Sequence, residues 1–183
     1  MTVDPSTLRL RTYPDPVLRR KAEPIPEVTD EVREVARAML RIMVESEGIG
    51  LAAPQVGLSW RLFVVDVPEN ERRKAEGELP TATRGPVVYI NPVLTLRGPV
   101  EPAEEGCLSL PDIRGEVLRP PVVTITALDL EGKPFTQTAT GLLARCWQHE
   151  NDHLDGVLII DRMTPPSRLR NRAMVRALER EER

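Results

Sequence analysis

No stretch of this 183-residue chain approaches the about 20 consecutive apolar residues that a membrane span requires, so no membrane association is expected. Residues 1 to 6 hold neither the basic start nor the apolar core of a secretory signal, which points to the cytoplasm. Only two cysteines are present, Cys107 and Cys146, too few for a disulfide framework. A net charge of −3 and a pI near 5.6 leave no basic surplus for stable nucleic-acid binding. No internal repeat is evident. At 20.5 kDa the chain suits one domain, residues 1–183, with a sizeable core.

Histidine is as scarce as cysteine: the chain has two, both in the stretch Gln148-His149-Glu150-Asn151-Asp152-His153-Leu154-Asp155-Gly156. Residues four apart on a helix are turned only about 40° from each other, so His149 and His153 project side by side and can grip one ion. Glu150, about 100° round the same helix, can reach a water in that site without being a ligand. An apolar run, Gly141-Leu142-Leu143-Ala144, leads into the motif and Gly156 supplies a stop signal. The bland alternative is a surface helix with two solvated histidines.

A hydrolytic metal site usually takes three protein ligands and leaves a position open. The protease pattern HExxHxxGxxH is matched through Gly156 and then meets Ile159 where its third histidine belongs. The segment after His153 offers arginines before its first glutamate, Glu179, which weakens an endopeptidase reading. Cys107, in Glu105-Gly106-Cys107-Leu108-Ser109, is the candidate third ligand, because thiolate suits zinc and ferrous iron. Gly106 lets the backbone turn close to a ligand, and Leu108 presents a backbone N–H beside it. In Gly48-Ile49-Gly50-Leu51-Ala52-Ala53-Pro54-Gln55, the glycines admit a peptide backbone and Gln55 can donate its amide N–H to a developing oxyanion. A catalytically silent metal-binding module would have no use for Glu150 and Gln55.

Together and in this order, the segments Gly48 to Gln55, Glu105 to Ser109 and Gln148 to Gly156 resemble the three signature motifs of the peptide deformylase family. Tyr13-Pro14-Asp15-Pro16-Val17-Leu18-Arg19, Ile90-Asn91-Pro92 and Arg114 extend the similarity over nearly the whole chain. The resemblance implies a metal-dependent hydrolase that removes the N-formyl group from the initiator methionine of nascent polypeptides and releases formate. By it, Cys107, His149 and His153 hold one divalent ion, ferrous iron in preference to zinc, nickel or cobalt. Glu150 is the general acid/base, and Gln55 with the Leu108 N–H forms the oxyanion hole. Ile49, Gly50, Glu105, Gly106, Arg114, Leu142 and Cys146 are the expected substrate-binding residues. Arg145, four residues before His149, departs from the apolar methionine pocket that the family leads one to expect. Either its stem lines the wall while the guanidinium reaches solvent, or it pairs with a carboxylate such as Glu105.

Asp30 is expected to cap a helix through Ser46, with Val32, Val35, Ala36, Met39 and Met43 at helical spacing. Residues 61–67, 87–94, 117–118, 122–130 and 135–139 read as strands, Cys107 as lying between strands, and 68–86 as a polar loop. Eighteen prolines suit a chain full of edges and turns. The expected fold is α+β: mainly antiparallel sheet wrapped around the HExxH helix, with a C-terminal helix. From Arg162 to Arg183, seven arginines face three glutamates. Leu169, Ala173, Ala177 and Leu178 mark that helix's expected apolar face, and Arg168, Arg172 and Arg176 line another. A solvated charged face is the plain reading of the arginines; the family resemblance adds a transient ribosome contact as an alternative.

Overall fold

In the computed structural model, which describes residues 2–69 and 79–181, the strand with an apolar residue at every position sits between two helices. This is β2 (Leu62–Val65), all four residues of which are buried. Leu62 and Val64 pack with helix α1 (Asp30–Glu45), while Phe63 and Val65 pack with helix α2 (Gly141–Leu154). An uninterrupted apolar run is what burial of both faces requires.

Strands β1 (Gly50–Ala52), β2, β3 (Val87–Arg97), β6 (Val122–Leu128) and β7 (Pro134–Thr140) form one antiparallel sheet in the order β1-β2-β3-β6-β7. Towards β7 the sheet is apolar on one face only. Val123, Ile125 and Ala127 face α2, whereas Thr124 and Thr126 turn outward and hydrogen-bond across to Thr138 and Thr136, both at 2.9 Å. A separate hairpin, β4 (Glu101–Cys107) with β5 (Leu110–Arg119), forms a second, two-stranded sheet. The short helix α3 (Ile159–Arg162) and helix α4 (Pro165–Glu181) follow α2.

The expected core residues of α1 are all buried, but Thr29 rather than Asp30 caps it. Thr29 holds the extended backbone of a cap and its hydroxyl accepts from the Val32 N–H at 3.4 Å, which leaves Asp30 as the first helical residue. At the other end Gly48 N–H reaches Met43 O at 2.9 Å and Glu47 N–H reaches Val44 O at 3.0 Å, a Schellman closure with Glu47 left-handed at φ 56°. Helix α2 ends the same way. Val157 N–H bonds Asp152 O at 2.9 Å and Gly156 N–H bonds His153 O at 3.2 Å, with Gly156 at φ 71°.

Three further expectations change. Strand β1 pairs with β2 where only a glycine-rich segment was expected, and Cys107 is the last residue of β4 rather than a linker residue. Helix α4 docks through Ser167, Asn171, Val175 and Leu178, while Leu169 is 70% exposed and Ala173 and Ala177 are exposed with it. The docked face is partly polar because it serves strand β5: Ser167 Oγ accepts from Glu116 N–H at 3.0 Å, and Asn171 Nδ2 donates to Arg114 O at 2.8 Å. Of the expected loop 68–86, residues 70–78 lie outside the described residues. No helix among the described residues is long and apolar enough to cross a membrane.

A methyl group on Gly156 would lie 2.5 Å from Arg19 O, on a backbone that L residues rarely adopt. Gly132, at φ 76°, is strained alike but open, with Val28 no nearer than 3.8 Å. Gly132→Ala should therefore lose only the strain energy, about 1–2 kcal/mol, and Gly156→Ala distinctly more. Urea unfolding of the two variants checks this; equal losses would show that the Arg19 contact carries no energy.

Candidate metal centre

Helix α2 is buried on nearly every side, so its polar residues cannot fall back on water. Leu143, Ala144, Trp147 and Leu154 face the large sheet's core, and Glu150, Asp152 and His153 are buried as well. His149 lies across from the tip of the β4–β5 hairpin, which carries Cys107. There the pairing jumps from Gly106 opposite Arg114 to Cys107 opposite Leu110, so that residues 111–113 have no partner on β4. The bulge puts Ile113 into the core, with Asp112 at φ 61° between it and Pro111.

Cys107, His149 and His153 each offer a ligand atom within 4.8 Å of the others. Cys107 Sγ is 3.3 Å from His153 Nε2, and the two imidazoles meet edge-on with centroids 5.0 Å apart. His149 donates from Nδ1 to Glu105 Oε2 at 3.1 Å, which fixes its tautomer and leaves Nε2 for the cluster. One sulfur and two imidazole nitrogens form a donor set suited to a borderline-soft divalent ion. Two buried atoms, Glu150 Oε2 and His153 Nδ1, have no hydrogen-bond partner among the described residues. The residues fit a metal site with a carboxylate beside it.

The electrostatics divide the two histidines. Burial disfavours charge on His149, but hydrogen bonds with Cys107 and Glu105 outweigh it and raise its pKa well above the ordinary value. His153 has burial and then the charge of His149 acting in one direction, and is held well below. Burial also pushes Glu150 up to about 7. Glu105 goes the other way: burial opposes its charge, yet hydrogen bonds from His149 and Arg119 keep it ionised far below the usual carboxylate range.

A cavity of about 420 Å³ opens onto this cluster. Ile49, Gly50 and Gln55 line one side, Glu105, Gly106, Cys107 and Leu108 another, and Leu142, Cys146, His149 and Glu150 the floor along α2. Arg114 stands at the rim, two-thirds exposed and paired with Glu104 at 2.9 Å. Of the expected metal, catalytic and substrate-binding residues, only His153 does not line the cavity; it is buried, 1% exposed. Gln55 is oriented unambiguously, since Ala52 N–H donates to its Oε1 at 2.8 Å. Its Nε2 therefore faces Ser109 Oγ at 3.1 Å and Cys107 Sγ at 3.7 Å. Gly50 has a tighter reason to be glycine than backbone access: a Cβ there would run into Glu150 Oε1 and come within 2.8 Å of Cys146 Sγ.

Sequence reasoning left the behaviour of Arg145 open between two placements, and the guanidinium is paired. It donates to Glu105 Oε1 at 2.9 Å, Val117 O at 3.0 Å and Glu101 O at 2.8 Å. Three residues were given no role in sequence, although Asp152 and Ser109 lie within the motif segments. Arg119, 4% exposed, clasps Glu105 with Nε and Nη2 at 2.6 and 2.9 Å and reaches Asp152 with Nη1 at 2.9 Å. Asp152 also accepts from Arg162, and Ser109 holds Gln55. The position of Asp152, three residues after His149 on a helix expected to be central, and that of Ser109, two after Cys107, could have flagged those two; nothing marks Arg119.

The family described as polypeptide deformylase matches residues 7–169. The chain is 48% identical over 158 residues to peptide deformylase 2 of Gloeobacter violaceus, covering 85% of this chain and 79% of that one. It is 43% identical over 175 residues to the peptide deformylase of Acinetobacter baumannii, covering 95% and 93%. Among solved structures, the peptide deformylase of Ehrlichia chaffeensis superposes with a TM-score of 0.85 at 30% identity, over 96% of this chain and 97% of that one.

From the raised pKa of His149, uptake of Zn²⁺ at pH 7 is expected to release at least one proton per ion and to tighten as pH rises. Calorimetric titration in two buffers of different ionisation enthalpy measures the release. A value of zero would show that His149 Nε2 is already unprotonated in the metal-free site, with the one remaining proton on Nδ1 facing Glu105.

Proposed function

The chain belongs to the peptide deformylase family, and on that premise we propose that Cys107, His149 and His153 hold one divalent ion for the hydrolysis of formylmethionyl nascent chains. The activity is metal-dependent removal of N-formyl groups. Ferrous iron is the proposed native ion, with zinc, nickel or cobalt as substitutes, and the cytoplasm, where nascent chains emerge, is the proposed place of action. The observation that carries the reading is the convergence of the three ligand atoms beside a buried carboxylate with an unpartnered oxygen.

When bound, a divalent ion supplies Lewis acidity, which lowers the pKa of a water and polarises a carbonyl. Glu150 moves the proton. Its carboxylate, raised to about 7 by burial, lies close enough to neutrality to accept a proton from water and return it to the departing amine. Positive charge at the three-ligand site draws that pKa down and keeps Glu150 a base. Gln55 Nε2, fixed by Ala52, and the Leu108 N–H donate to the oxygen that gains charge as the formyl carbon becomes tetrahedral. Ile49, Gly50 and Gly106 would meet the peptide backbone, Leu142 and Cys146 would pack on the methionine side chain, and Arg114 would hold the chain at the rim. Glu105 acts at one remove, through His149. Along α4 the exposed Arg168, Arg172 and Arg176 offer a cationic face for a transient contact with the ribosome.

The direct test compares formate release from a formyl-Met peptide with cleavage of internal peptide bonds by the same metal-loaded protein. Formate without internal cleavage is expected; internal cleavage as the faster reaction would make the chain an endopeptidase. Glu150→Gln should fold and keep its metal while losing about 10²–10⁴-fold in turnover, since an amide cannot accept the proton. Formate release close to the parent rate at equal metal occupancy would take Glu150 out of the mechanism. Gln55→Leu should lower kcat more than it raises KM, by the equivalent of about 3 kcal/mol. A change confined to KM would make Gln55 a ground-state contact.

A further inference from the structure

The proposed ligands come from two sheets that share no strand pairing. His149 and His153 ride on α2, which packs on the five-stranded sheet, whereas Cys107 ends a strand of the separate hairpin. Backbone hydrogen bonds between strands therefore cannot set the distance from sulfur to imidazoles; side chains that cross the gap must. Arg145 crosses it most completely. From α2, one turn before His149, it reaches Glu101 O on β4, Val117 O on β5 and Glu105 Oε1, all within 3.0 Å, with its side chain only 14% exposed.

We propose that Arg145 is a positioning residue that braces the hairpin against α2 and so sets the geometry of the three-ligand site. This rests on the metal-site reading above. Glu105 stays clasped by Arg119 when Arg145 is removed, so the hydrogen bond to His149 survives. What is lost is the tie between the helix and the two strand carbonyls. The planar guanidinium is required because its donors must serve three acceptors at once. Lysine carries the same charge but places its donors on one nitrogen.

The experiment uses full-length protein loaded with Co²⁺, whose thiolate charge-transfer band reports Cys107 and whose visible bands report coordination geometry. Arg145→Met keeps much of the stem's bulk and should bind Co²⁺ about 10–100-fold more weakly with altered visible bands. Arg145→Lys should recover part of the affinity but not the parent spectrum. If the Met variant does not fold, the Lys variant and Arg145→Gln carry the test on the same two readouts. Parent affinity and parent spectrum in the folded variants would overturn the proposal, even if their melting temperatures fell. So would a rise in KM for formyl-Met peptide with metal binding intact, which would make Arg145 part of the pocket wall alone. Absence of a thiolate band from the unaltered protein would instead remove the metal-site reading itself.

Discussion

A carboxylate only 7% exposed survives as an anion when donors occupy its lone pairs, and Glu105 meets that condition in full. Arg119 takes one position on each oxygen, Arg145 a second on Oε1 and His149 a second on Oε2. Those partners come from two elements, Arg119 from the end of β5 and Arg145 and His149 from successive turns of α2, and converge on β4. Arg119 then passes the connection to Asp152 on α2, which Arg162 from α3 closes from the solvent side. The hairpin and the central helix are joined by charge, whereas α1 and α2 are joined to the large sheet by apolar burial.

Such a network is a poor source of net stability. Desolvating each ion costs several kcal/mol, which mutual attraction at best repays, whereas removing one partner strands the others and costs about 3–5 kcal/mol. Stability comes instead from β2 and its neighbours, with α1 packed on one face and α2 on the other. The two halves of the molecule therefore do different things. Apolar packing holds α2 in place, and the ions orient what α2 presents: the tautomer of His149 through Glu105, and the placement of the hairpin that brings Cys107 towards it.

Where apolar periodicity coincides with burial, the chain could be read directly. The buried face of α1 follows from it, as do the strands read at 61–67, 87–94 and 122–130, which run over Leu62–Val65, Val87–Arg97 and Val122–Leu128. Strand β4 does not, because Glu101-Pro102-Ala103-Glu104-Glu105-Gly106-Cys107 has no apolar alternation. One face of that strand is solvated, and Glu105 turns inward to arginines rather than to a core. Helix α4 misleads for the converse reason. Leu169, Ala173 and Ala177 recur at helical spacing but face outward, since Ser167 and Asn171 dock by hydrogen bonds to β5. The cluster of Cys107, His149 and His153 was legible by spacing and residue type, while the ion pairs of Arg119 and Asp152 were not. Nothing local in a sequence distinguishes an arginine that will be buried against carboxylates from one that will be solvated.

Gly50 shows how closely the apolar and polar halves constrain each other. Its strand belongs to the large sheet, pairing with Val65, yet the space its missing Cβ leaves is filled by Glu150 and Cys146 from α2. Moving α2 outward by a methyl group's width to admit a side chain there would carry His149 and His153 with it, while Cys107 stayed with the hairpin. The sulfur and the two imidazole nitrogens, now within 4.8 Å of one another, would be drawn apart. Alternatively the helix could stay and the Glu150 carboxylate rotate away, which would keep Cys107, His149 and His153 together but move the proposed proton acceptor off the cavity. Glycine at position 50 is the condition under which the helix can lie close enough to the sheet to serve the hairpin and still aim Glu150 into the cavity.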